Sequence, residues 1–177
     1  NISWFRKYKN IYKKIESCIN WIKENICPNK GIFISSKNKK PYLEVTGYII
    51  PTLYQWGEKK LARDLTTWLM RQQNEDGSFS APDGNPYTFD TGQVIRGFVA
   101  ALEDLPKTKT SLKKACEWIL TQVKLDGRLD TPSKEMWSDI ADDRIHLYVL
   151  PPLIQAGKKL NEPKYINIAY SILEYYK

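Results

Sequence analysis

A tryptophan-centred segment occurs three times in the sequence, at Trp21, Trp68 and Trp118. The three tryptophans are 47 and 50 residues apart, and a helical pattern and then a glycine follow each of them. Self-similarity at a period of this length indicates stacked helical hairpins, because each helix pair needs a neighbour to cover its apolar face. The chain is therefore predicted to be all-α and built from repeated helix pairs.

Two kinds of helix alternate along the chain. The tryptophan-bearing helices are amphipathic, since Leu61, Leu65 and Trp68 follow one apolar stripe. Their predicted ranges are 8–25, 58–73, 107–123 and 162–176. The helices between them are apolar nearly all round, over 45–56, 90–105 and 143–156. Charged helices outside and apolar helices inside predict an α/α-toroid-like array of about three and a half hairpins, an incomplete ring.

Glycine, proline and aspartate give the expected helix ends. Left-handed glycine caps are predicted after the outer helices, at Gly31, Gly77 and Gly127. Asp90 and Asp143 are predicted N-caps of inner helices. The prolines should kink the inner helices or make them begin nearby, at Pro51, Pro151 and Pro152. Residues 32–34, rich in isoleucine and phenylalanine, predict a short extended stretch.

Composition sets the protein class. A length of 177 residues suits one domain over 1–177, either complete or a fragment of a longer chain. The formal net charge of +7 comes without a nucleic-acid-binding motif, so we expect a lysine-rich surface and no nucleic acid partner. No apolar run approaches the roughly 20 residues of a membrane span. We expect no cofactor and no metal site, because phosphate-binding and zinc-ligand motifs are missing.

The cysteines and the tryptophans are expected to be structural. The three cysteines form no CxxC pair, which favours a reducing, cytoplasmic location. Cys18 and Cys116 fall on apolar helix positions and are predicted to be small core residues. The tryptophan stripe at Trp21, Trp68 and Trp118 is predicted to be core rather than a ligand-binding box.

Two stretches resemble known families. Residues 73–79, Gln-Asn-Glu-Asp-Gly-Ser-Phe, resemble the QW-type repeat of squalene cyclases and protein prenyltransferases, which are α/α toroids. Residues 44–53 with 89–94 resemble toroid domains of bacterial surface-polysaccharide biosynthesis proteins. This resemblance implies a glycan or a sugar-nucleotide-derived substrate. The incomplete ring is expected to be a short open variant of the fold, or to be completed by another subunit of a homo-oligomer or by further sequence.

Acidic and aromatic residues gather where the long connections enter the inner helices, and loops of this kind commonly carry function. The candidate catalytic residues are Glu44, Asp90 and Asp143. The candidate substrate-binding residues are Tyr42, Tyr48, Tyr87, Gln93, Arg96, Trp137, Asp142, Arg144 and His146. Paired carboxyls among aromatic rings suit sugar binding and acid–base chemistry. Helix capping is the alternative role for each acid, and a structural role is the alternative for His146.

Three functions remain open from the sequence, and whether the chain is an enzyme is one of the open points. The first is a carbohydrate-active toroid that hydrolyses, eliminates or epimerises a glycan. The second is a non-catalytic module that binds a glycan or a protein within a biosynthetic assembly. The third is a terpene-cyclase-like enzyme, although residues 139–143 read DxxDD where the acid motif of those enzymes is DxDD.

Overall fold

A computed structural model of the protein describes residues 2–26, 30–133 and 143–177, with side chains from residue 11 onward except that of Asp143. Its helices are α1 (Ile2–Glu24), α2 (Leu43–Gln55), α3 (Lys59–Gln72), α4 (Thr88–Ala101), α5 (Thr108–Thr121), a 3₁₀-helix (Asp143–Val149), α6 (Leu150–Leu160) and α7 (Pro163–Tyr175). In these ranges extended structure is limited to isolated bridges, and two of them, Ile26–Ile32 and Phe33–Pro41, include residues of the predicted extended stretch. The all-α prediction is confirmed.

The helices form an inner row with outer helices packed on it. Helices α2, α4 and α6 pack on one another in series, and each also packs on the outer helix that follows it, α3, α5 or α7. Helix α4 in the middle of the row is buried along nearly its whole length. Helix α3, by contrast, buries one stripe that includes Leu65, Trp68 and Leu69. The predicted division into apolar inner and amphipathic outer helices is therefore confirmed, and the fold is of the α/α-toroid type.

Two glycines allow α2 and α4 to lie in close contact. A Cβ atom added to Gly47 would lie 2.6 Å from the backbone oxygen of Gln93, and one added to Gly97 would lie 2.8 Å from the backbone oxygen of Gly47. Any side chain at either position would push the two helices apart. The apolar core continues outward from this contact, where the rings of Phe79 and Phe98 meet edge to face at 5.7 Å.

The helix ends correct several predictions. The outer helices end before their glycines, and Gly77 and Gly127 instead close tight turns at φ +96° and +90°. Gly31 is not left-handed; it is glycine because a Cβ there would lie 2.4 Å from the Trp68 ring. Pro51 lies inside α2, whereas the two prolines at 151 and 152 occupy the start of α6. The prediction that an inner helix begins near its prolines is therefore confirmed for α6. The segment before it is a 3₁₀-helix rather than the predicted α-helix, because a proline ring clashes with the carbonyl four residues earlier in an α-helix.

The predicted core is correct in the middle of the chain and wrong near its beginning. Trp68, Trp118 and Cys116 are buried. Trp21 is 54% exposed and Cys18 is also exposed, because both line an open groove of about 440 Å³ between α1 and α2. Among the described residues nothing covers this groove. None of the described helices has the length and apolar character needed to cross a membrane.

Candidate functional site

A threonine in the first turn of each of the helices α2 and α4 fixes the chain that leads into it. The Thr46 hydroxyl accepts a hydrogen bond from the Ile32 N–H at 3.0 Å and donates one to the Tyr42 carbonyl at 2.6 Å. The Thr91 hydroxyl accepts one from the Phe79 N–H at 3.1 Å. These buried bonds satisfy backbone groups that would otherwise be costly. They place the two helix starts, and with them Tyr42 and Asp90, in a defined position.

Asp90 is the most unusual residue at this end of the inner row. It lies in the first turn of α4 and is fully buried. Neither of its carboxyl oxygens has a hydrogen-bond partner among the described residues. The N-cap position belongs to Tyr87, and no side chain caps the helix. The prediction that Asp90 is an N-cap is therefore wrong, because its carboxyl faces the interior instead of the free amides of its own helix.

Glu44 and Tyr42, from the start of α2, share the environment of Asp90. Burial, together with the nearby charges of Glu44 and Asp83, raises the pKa of Asp90 from 3.8 to about 7, and burial is the largest of these causes. The Tyr42 hydroxyl opposes this rise, although it falls short of a well-formed hydrogen bond to either carboxyl oxygen. Burial likewise raises the pKa of Glu44, and burial with the two carboxylates strongly raises that of Tyr42. The structure thus brings together three of the predicted site residues.

A second hydrogen-bonded cluster borders these carboxyls. The Tyr87 hydroxyl donates to the Asp83 carboxylate at 2.7 Å and accepts from the Ser133 hydroxyl at 3.1 Å. Burial alone would raise the pKa of Asp83, but hydrogen bonds from Tyr87 and Asn85 bring it below its usual value. Asp83 therefore stays ionised at pH values just below 7, where Asp90 is still largely protonated. Tyr87 is almost fully buried, so it supports the site and presents no open face to a ligand.

Further along α4, Gln93 and Arg96 lie one turn apart. Gln93 is fully buried, and in the part of the chain that the structure describes its amide nitrogen and oxygen have no partner. The Arg96 guanidinium lies 5.5 Å from the centre of the Tyr48 ring, and its Nη2 donates to the Tyr148 carbonyl at 3.4 Å. Tyr48 and Tyr148 are both exposed. Sequence reasoning missed Tyr148, although the shared Pro-x-Leu-x-Gln pattern after Tyr48 and Tyr148 could have revealed it.

The remaining predicted residues belong to the third inner element or precede it. Asp143 begins the 3₁₀-helix, Arg144 is exposed and His146 is buried within it. Trp137, Asp142 and most of the DxxDD sequence lie outside the described residues. In the described ranges, no group of three or more histidine, cysteine, aspartate or glutamate side chains could hold a metal ion.

Comparison with known proteins supports the fold class. No family model matches the chain, and no curated protein matches it either. A solved structure described as the crystal structure of D-mannose isomerase superposes with a TM-score of 0.63 at 17% sequence identity. The match covers 85% of this chain and 46% of that chain, so the present sequence spans less than half the length of this neighbour. At this identity the likeness shows a common α/α-toroid-type fold.

Proposed function

We propose that this chain binds a sugar at the start of α2 and α4 and that Asp90 exchanges a proton with it. The observation that carries the proposal is the fully buried Asp90 carboxyl, which has no hydrogen-bond partner among the described residues. An unpaired buried polar group costs free energy, so its presence in a native fold calls for a reason, and a catalytic role is one such reason. The D-mannose isomerase with a similar fold supports the choice of a sugar.

The two carboxyls are suited to different roles. Near pH 6 Asp90 is mostly protonated, because burial and the Glu44 charge hold its pKa at about 7. Glu44, in contact with solvent, supplies the carboxylate. With the open-chain form of D-mannose, Glu44 would take the proton on C2 and the C2–H electron pair would form a C1=C2 double bond. The C1=O π pair would move to the oxygen, which takes the proton of Asp90, so an enediol forms, and the reverse transfers restore both acids. Paired acid–base catalysis needs one carboxyl that gives a proton and another that accepts one.

A non-catalytic sugar-binding module is the second candidate. The specific observation in its favour is that Asp90 and Gln93 have no exposed surface. A sugar can reach Asp90 only if covering side chains move aside, whereas Tyr48 and Tyr148 are already open to a ligand. Binding without any proton exchange would identify this alternative.

The biological setting is part of the same proposal. The motif resemblance at 44–53 and 89–94 supports a role in bacterial polysaccharide metabolism. Free thiols at Cys18 and Cys116 support a reducing, cytoplasmic environment. The open groove between α1 and α2 supports completion of the ring by another subunit or by further sequence.

Sugar titration tests the proposal. D-mannose is titrated into the wild type, Asp90→Asn, Glu44→Gln and the matched control Asp64→Asn, whose side chain is exposed on the outer helix α3. Each substitution keeps the side-chain shape and removes the acid. We expect both site variants to lose affinity about tenfold, the scale of one charge-assisted hydrogen bond, and the control to match the wild type. Equal D-mannose affinity in all four proteins would refute the site.

A further inference from the structure

The three inner elements, α2, α4 and the 3₁₀-helix, share short sequence patterns that identify one equivalent position in each of them. The Thr-Gly dipeptide that precedes Tyr48 on α2 also precedes Gln93 on α4. The pattern Pro-x-Leu-x-Gln begins three residues after Tyr48 and three residues after Tyr148. Tyr48, Gln93 and Tyr148 are therefore equivalent positions of the repeat. Two of the three are tyrosines, on either side of the middle helix.

Arg96 connects the two tyrosines. Its guanidinium lies 5.5 Å from the centre of the Tyr48 ring and donates to the Tyr148 backbone carbonyl at 3.4 Å. The Phe89 ring holds the Tyr148 ring edge to face at 6.3 Å. The two tyrosines nevertheless remain 53% and 60% exposed. Large aromatic faces left open around a held cation are an arrangement suited to a ligand rather than to packing.

The chemistry of this surface indicates a sugar with an acid group. A flat aromatic ring covers the C–H face of a sugar ring, and a guanidinium binds a carboxylate through parallel N–H bonds. The buried Arg96 Nε has no partner among the described residues. Asp90, Gln93 and Arg96 are spaced three residues apart on α4 and so lie along one face of that helix. A ligand bound at Arg96 can therefore extend along this face toward the site proposed above. The formal net charge of +7 attracts anionic ligands at long range.

We propose that Tyr48, Arg96 and Tyr148 form a second sugar subsite, which binds a ring bearing a carboxylate, next to the Asp90 and Glu44 carboxyls. This inference rests on the proposed function, because the first ring of the same glycan occupies the site of the two carboxyls. The ligand is then an acidic oligosaccharide of at least two rings. Tyr148 becomes a substrate-binding residue beside Tyr48.

Matched sugars separate the two subsites. Calorimetric titrations use D-mannose, D-mannuronate, mannobiose and the mannuronate disaccharide, which differ in ring number and in the carboxylate. We expect the wild type to bind the mannuronate disaccharide about tenfold more tightly than mannobiose at low salt. Arg96→Gln is expected to abolish that preference, and Arg96→Lys, which keeps the charge without the planar fork, to keep part of it.

Tyr148→Ala is expected to weaken binding of the disaccharides several-fold more than binding of D-mannose. Tyr170→Ala is the matched control, since Tyr170 is equally exposed but lies on the outer helix α7. Thermal unfolding of each variant shows whether it is folded. Equal affinity of the wild type for the acidic and neutral disaccharides, or an unchanged preference in Arg96→Gln, would overturn the subsite.

The same titrations distinguish failure of the subsite from failure of the proposed function. If Asp90→Asn lowers the affinity for D-mannose and the wild type shows no preference for the acidic disaccharide, only the second subsite is refuted. If the preference for the acidic disaccharide is lost in Arg96→Gln but kept in Asp90→Asn, the second subsite is supported. The placement of the first ring at the Asp90 and Glu44 carboxyls is then refuted. No binding of any of the four sugars overturns both proposals.

Discussion

The Glu44 carboxyl on α2 raises the pKa of the Asp90 carboxyl on α4, so the charge on one inner helix affects the protonation of an acid on its neighbour. This effect depends on how closely these helices pack, which Gly47 and Gly97 permit. It also depends on burial, since desolvation is the largest cause of the rise. The electrostatics of the candidate site is thus a direct consequence of the helix packing.

Asp90 makes the stability of the fold depend on pH. Its pKa is raised from 3.8 to about 7, so the folded chain keeps a proton that the unfolded chain releases between these values. This contribution to stability is fully present below about pH 4 and is lost as the pH rises through about 7. We expect Asp90→Asn to match the wild type near pH 4 and to exceed it at pH 8, by up to about 4 kcal/mol. Urea unfolding at both pH values measures this, and parallel pH profiles for the two proteins would contradict it.

The contact between α2 and α4 predicts a sensitive glycine. Gly47→Ala places a Cβ 2.6 Å from the Gln93 backbone oxygen, and backbone cannot rotate away as a flexible side chain could. We expect a loss of roughly 1–3 kcal/mol in the free energy of unfolding, typical of overpacking. Gly57→Asn is the control, because that position is left-handed with open space around it, and asparagine tolerates such a backbone. Chemical unfolding measures the stability of both variants. A Gly47→Ala protein as stable as Gly57→Asn would contradict the close packing of α2 and α4.

Much of the fold could be predicted from the sequence, because the repeat fixes both the order of the helices and their exposed faces. Trp68 and Trp118 are buried as expected, since neighbouring hairpins cover them. Trp21 has the same local pattern and is exposed, because the pattern of one helix cannot show whether a neighbour is present. The 3₁₀-helix over 143–149 is a similar case, in which two adjacent prolines alter the helix that precedes them.

The candidate site was less predictable. Glu44, Asp90 and Tyr42 were found because acids and aromatics cluster at helix starts. The sequence shows that an acid lies near a helix start. It does not show on which side of the helix axis the side chain lies, and that side decides whether the acid caps the helix or faces the interior. Asp83 was overlooked for a related reason. It lies in a loop sequence typical of turns, and only the fold brings its charge near Asp90.

The threonine that fixes the entrance to α2 should affect stability and sugar binding together. Thr46→Val keeps the shape but leaves the buried Ile32 N–H without its acceptor. We expect the free energy of unfolding to fall by about 1–3 kcal/mol and D-mannose affinity to fall with it, because Tyr42 loses its anchor. Thr110→Val on the exposed side of α5 serves as the control. A Thr46→Val protein as stable as this control would count against the anchoring role.

The last hairpin depends on one buried hydroxyl. Tyr165 at the start of α7 is fully buried and donates to the Glu117 carboxylate on α5 at 2.6 Å. Tyr165→Phe should cost about 1–2 kcal/mol, since the bond is to a charged acceptor that Lys164 also contacts. Tyr170→Phe, on the exposed face of the same helix, should change stability little. Thermal unfolding that ranks the two variants in the opposite order would contradict this prediction.

Proton exchange at a sugar carbon tests the central proposal most directly. D-mannose is incubated with the protein in deuterium oxide, and loss of the proton on C2 is followed by NMR. We predict exchange with the wild type, at least a hundredfold slower exchange with Asp90→Asn, as expected for removal of a general acid, and wild-type exchange with Asp64→Asn. Unchanged exchange in Asp90→Asn would contradict the assigned role of Asp90. Absence of exchange in the wild type, with D-mannose bound, would identify a binding module instead.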